Sequence, residues 1–305
     1  MIFGALLFMF LSFLKNQPNI NKLLPIMWQN KKSIENLIQN STNNVDQCII
    51  DKKLKTTYCK KNMEQYIEQR VDFFKDKKMI AISPGGYKGF YIFGIVSFIK
   101  SHYDMDNFIY SGASAGAWNS LFLTFKNTTD VFLEPILKDV EKIKNLNTPY
   151  EIEYYMKKTV LKNYNTNDFE LNRLFVGLTT IQNYNRLTNI YTDFSSLEDA
   201  IDCCIASSHI PFITGGMTNK YDDKFTFDGG FSAYPYLKIM KPTLYITPSI
   251  FKKNNEVENN PSKEKFSLKD TTTLFSRKDY DFIELYTKGY QDAKLNKEFL
   301  DKFLL

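Results

Sequence analysis

A serine between two glycines, at the junction of two apolar segments, constrains the fold of this chain more than any other feature. The run from Gly112 to Gly116 reads Gly-Ala-Ser-Ala-Gly and centres on Ser114. The preceding segment Phe108–Tyr110 predicts a short buried strand, and residues 117–125 predict an apolar helix. A serine in a tight strand-to-helix turn projects as a nucleophile, and small neighbours permit that turn. The run favours a hydrolase, although a glycine-rich connection with a passive serine has the same local pattern.

A second glycine-rich turn lies upstream of the first. Residues 79–83 predict a strand, Pro84–Gly89 supplies the turn, and an apolar helix follows. Such a turn aims backbone N–H groups and a helix N-terminus at one point, which suits a phosphate or an oxyanion. The phosphate-loop spacing is not present. The next strand also runs into Ser114 instead of the acidic residue that a dinucleotide site needs. The pattern therefore favours an oxyanion hole, and we expect the two turns to be neighbours in a parallel sheet.

A third turn brings a carboxylate to the end of a predicted strand. Residues 225–227 alternate in the manner of a strand, and Asp228-Gly229-Gly230 follows directly. A solitary Asp-Gly is most often only a turn. Whether Asp228 is interpreted as catalytic depends on whether another residue of the chain is available as the base.

The chain has two histidines, His102 and His209. A serine hydrolase in the order serine, acid, histidine needs a histidine after Asp228, and the sequence has none there. One alternative is a triad that uses His209 with Asp193 or Asp199 as the acid. His209 lies at the end of a predicted helix, however, where a capping or core role is favoured. A serine with an aspartate base is the interpretation that remains.

In this order, the three turns resemble the patatin-like phospholipase family over roughly residues 79–237. The resemblance implies a catalytic dyad of Ser114 and Asp228. It also assigns supporting roles to the glycines and one lysine of the turns: the oxyanion loop Gly85, Gly86, Lys88 and Gly89, the elbow glycines Gly112 and Gly116, and the aspartate-turn glycines Gly229 and Gly230.

The mechanism implied by the resemblance is acyl transfer without a metal or cofactor. Ser114 attacks a lipid ester carbonyl, Asp228 takes its proton, and water hydrolyses the acyl-enzyme. An ordinary aspartate, with a pKa near ~3.9, is a weak base at neutral pH, so its position must compensate. Pro84 departs from the family pattern, which has a glycine there, because proline has no N–H to donate. A catalytically silent scaffold that binds lipid or a partner protein is therefore the second hypothesis.

The resemblance and the alternation of strands with helices predict an α/β fold. We expect a mostly parallel central sheet with helices on both faces, as in a three-layer α/β/α domain. Further strands are predicted at 174–181, 190–194, 225–227 and 243–247, and further helices at 196–208 and about 278–304. The polar segment 248–272 predicts a surface insertion. The predicted domain occupies residues 76–305, after a hydrophobic segment at 1–15 and a polar extension at 16–75.

The N-terminal segment and the net charge bear on partners. Residues 2–14 are apolar, but thirteen residues fall short of the roughly 20 that cross a bilayer as a helix. We expect this segment to associate an otherwise cytoplasmic protein with a membrane, as an uncleaved anchor or an interfacial segment, and a net charge of +5 also favours a membrane surface. The alternative is a helix that is buried against the domain. The sequence lacks the basic, aromatic stripe of a nucleic-acid binder, and nothing in it indicates an oligomeric state. Cys48, Cys59, Cys203 and Cys204 do not have zinc-ligand spacing.

Overall fold

The computed structural model describes residues 49–51, 56–58, 70–139, 142–143, 145–146, 148–182, 185–251 and 281–305. The predictions for the hydrophobic segment 1–15, for Cys48 and Cys59, and for most of the segments 16–75 and 248–272 lie outside these residues. The division into three segments stays a prediction.

The described strands form a single mixed sheet. They are β1 (Ile49–Asp51), β2 (Thr56–Tyr58), β3 (Lys78–Ile82), β4 (Phe108–Gly112), β5 (Leu174–Gln182), β6 (Asn185–Tyr191), β7 (Asn219–Tyr221), β8 (Lys224–Phe227) and β9 (Leu244–Ile246). Seven of them follow the order β1-β2-β6-β5-β4-β3-β9, and the hairpin β7–β8 joins the sheet through β5. Of the six pairings along that order, four are parallel, namely β2–β6, β5–β4, β4–β3 and β3–β9. The predicted mostly parallel sheet is confirmed.

Helices lie between the strands and after them. They are α1 (Val71–Phe74), α2 (Gly89–His102), α3 (Ala115–Leu123), α4 (Thr129–Lys138), α5 (Pro149–Asn163), α6 (Leu197–Ser207), α7 (Phe282–Leu295) and α8 (Lys297–Leu304). Helix α6 is capped at its N-terminus, because the Ser196 hydroxyl accepts a hydrogen bond of 3.1 Å from the backbone N–H of Asp199.

The prediction of a single C-terminal helix at about 278–304 is wrong in the number of helices. The structure has two helices that meet at Asn296. The Asn296 side chain donates a hydrogen bond of 2.8 Å to the Asp292 carbonyl, which competes with continuation of the helix.

The strand predicted at 190–194 is displaced. The observed strand β6 begins at Asn185, ends at Tyr191 and runs antiparallel to β5. The pattern of apolar runs did not predict this strand because several of its residues are polar. One of them, the buried Asn189, donates a hydrogen bond of 2.8 Å from its side-chain amide to the Thr180 hydroxyl on β5. The strand cannot extend to residue 194 because Asp193 has a left-handed φ of 59°.

Alternate residues of the strands bury two faces of the sheet. On β3, Ile80 and Ile82 belong to the main core, to which helices α2 to α8 contribute. Met79 points to the opposite face, which among the described residues is covered by α1 and the segment around Leu237. Side chains on both faces are buried, as expected for the layered α/β fold, and the fold class is confirmed.

Candidate active site

The turns that follow β3 and β4 are in direct contact. Ile82 and Gly112, the last residues of these parallel strands, are paired. A Cβ on Gly116 would lie 2.2 Å from the Ile82 carbonyl oxygen, and one on Gly89 would lie 2.6 Å from the Ala115 Cβ. Only glycine fits where the two chains approach this closely. The predicted proximity of the two turns is confirmed.

Ser114 is held in a strained turn between β4 and α3. Its φ of 55° and ψ of −129° are unusual for a residue other than glycine, and such strain typically costs about 1–3 kcal/mol. The hydroxyl of Ser207 accepts a hydrogen bond of 2.8 Å from the backbone N–H of Ser114. The same hydroxyl donates one of 2.7 Å to the carbonyl of Gly177 on β5. Ser207 therefore fixes the turn to the central sheet.

Asp228 follows β8 and faces Ser114. The Ser114 hydroxyl donates to Asp228 Oδ2 over 2.6 Å, and the Gly230 backbone N–H donates to Asp228 Oδ1 over 2.6 Å. Ser114 and Asp228 are each only 5% exposed. Burial raises the pKa of Asp228 from 3.8 to about 6, against the smaller lowering effects of the bonds from Ser114 and Gly230. The carboxylate is therefore a stronger base than an ordinary aspartate.

Glycines bring the aspartate turn close to the serine turn. A Cβ on Gly229 would lie 2.2 Å from the Gly177 carbonyl oxygen and 2.7 Å from the Ala113 Cβ. A Cβ on Gly230 would lie 3.1 Å from the Pro84 Cβ. Pro84, the departure from the family pattern, thus lies against the aspartate turn.

The histidine alternative lacks the contacts that a triad needs. The backbone carbonyl of His209 accepts a hydrogen bond of 2.7 Å from the Asp228 N–H, but among the described residues the His209 Nε2 has no partner. Burial lowers the pKa of His209. The two acids considered for this triad have other partners. Asp193 forms an ion pair with Arg70, and Asp199 accepts a hydrogen bond from the Tyr221 hydroxyl.

Two helices begin at residues that line the cavity containing Ser114. Gly86, with a φ of 51°, opens a short 3₁₀ helix directly after Gly85, so its N–H has no acceptor within that helix. Ala115 opens α3 in the same way, and both Gly86 and Ala115 line the cavity that contains Ser114. Lys88 is half-buried and does not line this cavity. The sequence prediction overlooked Ala115, although the residue after a nucleophile commonly contributes such an N–H.

A largely apolar cavity of about 180 Å³ opens beside Ser114. Its walls come mainly from aromatic and aliphatic side chains, including Phe90, Phe93, Phe122, Phe132, Ile152 and Met156. Two polar groups on this wall, Trp118 and Glu153, were also overlooked in the sequence. Glu153 had no sequence signal, because a glutamate on an amphipathic helix is usually a surface residue.

Comparison with known proteins identifies one family. The model of the family described as patatin-like phospholipase matches residues 80–237, just over half of the 305-residue chain. The matched region includes the turn after β3, Ser114 and Asp228. Neither the curated proteins nor the solved structures gave a match.

Proposed function

The chain belongs to the patatin-like phospholipase family, a family of lipid acyl hydrolases, and from this premise we propose a serine hydrolase with Ser114 as nucleophile and Asp228 as base. The observation that carries this proposal is the 2.6 Å hydrogen bond from the Ser114 hydroxyl to Asp228 Oδ2. A buried serine is a weak nucleophile unless a base is within hydrogen-bond distance, and Asp228 meets that requirement.

In the proposed acylation step, Ser114 Oγ forms a bond to the ester carbonyl carbon while its proton passes to Asp228. Asp228 then gives the proton to the leaving alcohol as the ester C–O bond breaks. In deacylation, water attacks the acyl-enzyme and Asp228 accepts its proton. Asp228 then returns this proton to Ser114 Oγ as the bond between Oγ and the acyl group breaks, which releases fatty acid and regenerates the serine and the carboxylate. A pKa near 6 supports both roles, because the carboxylate is ionised at neutral pH and still accepts a proton readily.

The proposed oxyanion hole consists of backbone N–H groups at Gly85, Gly86 and Ala115. Gly86 and Ala115 line the cavity beside Ser114, and both lie at the start of a helix, where N–H groups are not used internally. Removal of one such donor typically costs about 10²–10³ in rate. The absence of an N–H at Pro84 leaves these donors intact, and this favours an active enzyme over the silent scaffold.

We further propose an acyl lipid as substrate and a membrane surface as its source. Tyr150, Tyr154 and Phe212 are 52%, 60% and 41% exposed. Pro149 and Thr214, close to them in sequence, line the cavity. Exposed aromatic side chains a few residues from cavity-lining positions suit contact with lipid. No helix within the described ranges is long and apolar enough to cross a membrane.

Release of fatty acid from mixed phospholipid vesicles tests the proposal. We expect the full-length protein to release fatty acid, and Ser114→Ala and Asp228→Asn to abolish the release while remaining folded. Asp222→Asn is the matched control, because Asp222 is exposed in the turn before β8, where it pairs with Lys224. No release by the folded wild-type protein, or equal release by Ser114→Ala, would overturn the proposal.

A further inference from the structure

The side chain of Asn119 connects the first turns of two helices. Its Nδ2 atom donates hydrogen bonds of 2.8 Å to the Ala115 carbonyl and of 3.2 Å to the Gly89 carbonyl. Gly89 is the first residue of α2, and Ala115 is the first residue of α3. The NH2 group carries two hydrogens, so each carbonyl receives one. A single buried side chain, only 4% exposed, therefore links the turn after β3 to the turn after β4.

The two helices do not need these bonds in order to form. The carbonyl of the first residue in an α-helix already accepts the backbone N–H four positions further on, and its second lone pair is open to another donor. The Oδ1 atom of Asn119 is buried and has no hydrogen-bond partner among the described residues. Such an oxygen is costly, and an apolar side chain would avoid that cost. The NH2 group, which joins the two turns, is therefore the useful part of this side chain.

Both carbonyls lie next to proposed oxyanion donors. The Gly89 N–H donates to the Gly86 carbonyl, so the position of Gly89 constrains that of Gly86. Ala115 carries the donor of the second turn and directly follows Ser114. Gly86, Ala115 and Asn119 all line the cavity that contains Ser114. The Asn119 amide thus contacts both of the turns that supply N–H groups to the proposed oxyanion hole.

We propose that Asn119 is a positioning residue that sets the separation between the Gly86 and Ala115 N–H groups. This inference rests on the proposed function. Stabilisation of an oxyanion requires each donor to lie about 2.7–3.1 Å from the developing charge. Packing between the turns limits how closely they approach, whereas two directed hydrogen bonds also prevent them from sliding or separating. A displacement of about 1 Å can cost about a hundredfold in rate.

Steady-state hydrolysis of the monomeric ester para-nitrophenyl butyrate by the full-length protein tests the inference. Asn119→Leu keeps a similar side-chain volume and removes both donors. We expect kcat to fall by about tenfold to a hundredfold while KM changes little, because the lost interaction acts in the transition state. The acidic limb of the pH profile is expected to stay near pH 6, since the surroundings of Asp228 are unaltered. Asn163→Leu is the matched control, because Asn163 donates the same kind of bond, over 2.8 Å to the Thr159 carbonyl four residues before it.

Asn119→Ser decides the question if Asn119→Leu does not fold. A serine hydroxyl within a helix donates to the carbonyl four residues before it, here that of Ala115, and has no second hydrogen for Gly89. We expect this variant also to lose kcat with little change in KM. An unchanged kcat in either folded variant, or a change confined to KM, would overturn the inference.

Hydrogen exchange of the full-length proteins, measured by mass spectrometry, separates this inference from the proposed function. We expect Asn119→Leu to accelerate exchange in both turns, at residues 85–89 and 113–116, and to leave exchange in β5 unchanged. Accelerated exchange in both turns of a protein whose folded wild type releases no fatty acid would reject the catalytic proposal and retain the link made by Asn119. Hydrolysis by the wild type, with unchanged exchange and unchanged kcat in Asn119→Leu, would do the reverse.

Discussion

The hydroxyl of Ser114 and Oδ2 of Asp228 lie 2.6 Å apart although the two residues are 114 positions apart in the chain. Strand β5 accounts for this proximity, because it pairs with β4 on the serine side and with β8 on the aspartate side. On β5, the Gly177 carbonyl accepts a hydrogen bond from the Ser207 hydroxyl, and the same carbonyl is in close contact with Gly229. The distance between the proposed nucleophile and the proposed base is thus set by the central strands of the sheet.

The pH profile of hydrolysis follows from the environment of Asp228. The base must be ionised, and burial raises its pKa to about 6. We expect kcat/KM to be constant above this pH and to fall as the pH decreases through about 6, by tenfold for each further pH unit. Initial rates of fatty acid release between pH 4.5 and 8 measure the profile. An acidic limb centred near 4 would show that Asp228 is not buried as described, or is not the base.

Asp228→Asn is expected to stabilise the protein at neutral pH. The pKa of the Asp228 carboxyl group is raised from 3.8 to about 6 in the folded state. Below pH 3.8 the group is protonated in both the folded and the unfolded state and costs no stability. Above about pH 6 it is ionised in both states, and the full cost of burying the charge is present. The full cost is up to about 3 kcal/mol, at 1.36 kcal/mol per pH unit. Thermal unfolding at pH 7.5 and pH 4 measures the effect. A stabilisation that is larger at pH 4 than at pH 7.5 would contradict the direction of this pKa shift.

Gly116→Ala is expected to disrupt the serine turn. The new Cβ would lie 2.2 Å from the Ile82 carbonyl oxygen, which is backbone and cannot move aside cheaply. We expect a loss of about 1–3 kcal/mol or more in the free energy of unfolding, together with loss of activity. Gly216→Ala is the matched control, since a Cβ there meets nothing within 4 Å. Equal behaviour of the two variants in chemical denaturation would contradict the close packing of the two turns.

Ser207→Ala tests the support of the nucleophile. It leaves the Ser114 N–H and the Gly177 carbonyl without their partner, which typically costs about 1–3 kcal/mol of stability. We expect kcat to fall more than KM changes, because the strained turn relaxes while the acyl cavity is unaltered. Ser101→Ala, at an exposed position on α2, controls for the loss of a hydroxyl. An unchanged kcat in Ser207→Ala would show that the turn holds its geometry without this bond.

His209→Gln distinguishes the dyad from a triad. The link from His209 to Asp228, the proposed base, is the backbone carbonyl of His209, which any residue supplies. We therefore expect the variant to keep its rate of fatty acid release within a few fold. Loss of activity in a variant that folds normally, with activity retained in Asp228→Asn, would instead support the histidine alternative.

The sequence alone predicted the features that depend on residues adjacent in the chain. The turns at Ser114 and Asp228 were predicted because short apolar strands lead directly into small residues, and strand β3 followed from the same pattern. The adjacency of the first two turns also followed, since consecutive strands of a parallel sheet usually lie together.

Other features depend on contacts between distant segments. The carboxyl group of Glu153 meets Trp118 only after α5 packs against α3, and its raised pKa is a consequence of that burial. The bounds predicted for β6 were wrong because its polar Asn189 is buried and donates a hydrogen bond to Thr180 on another strand, a contact that the local sequence does not show. The break at Asn296 depends on one side-chain hydrogen bond that competes with the helix.

Labelling of the full-length protein by a fluorophosphonate, followed by mass spectrometry of the modified peptide, tests the central claim most directly. The Ser-Asp dyad predicts rapid modification at Ser114 alone, much slower modification in Asp228→Asn, and an unchanged rate in the control Asp222→Asn. Failure of the folded wild-type protein to react, or modification of Ser114 at the same rate without the Asp228 carboxylate, would contradict it.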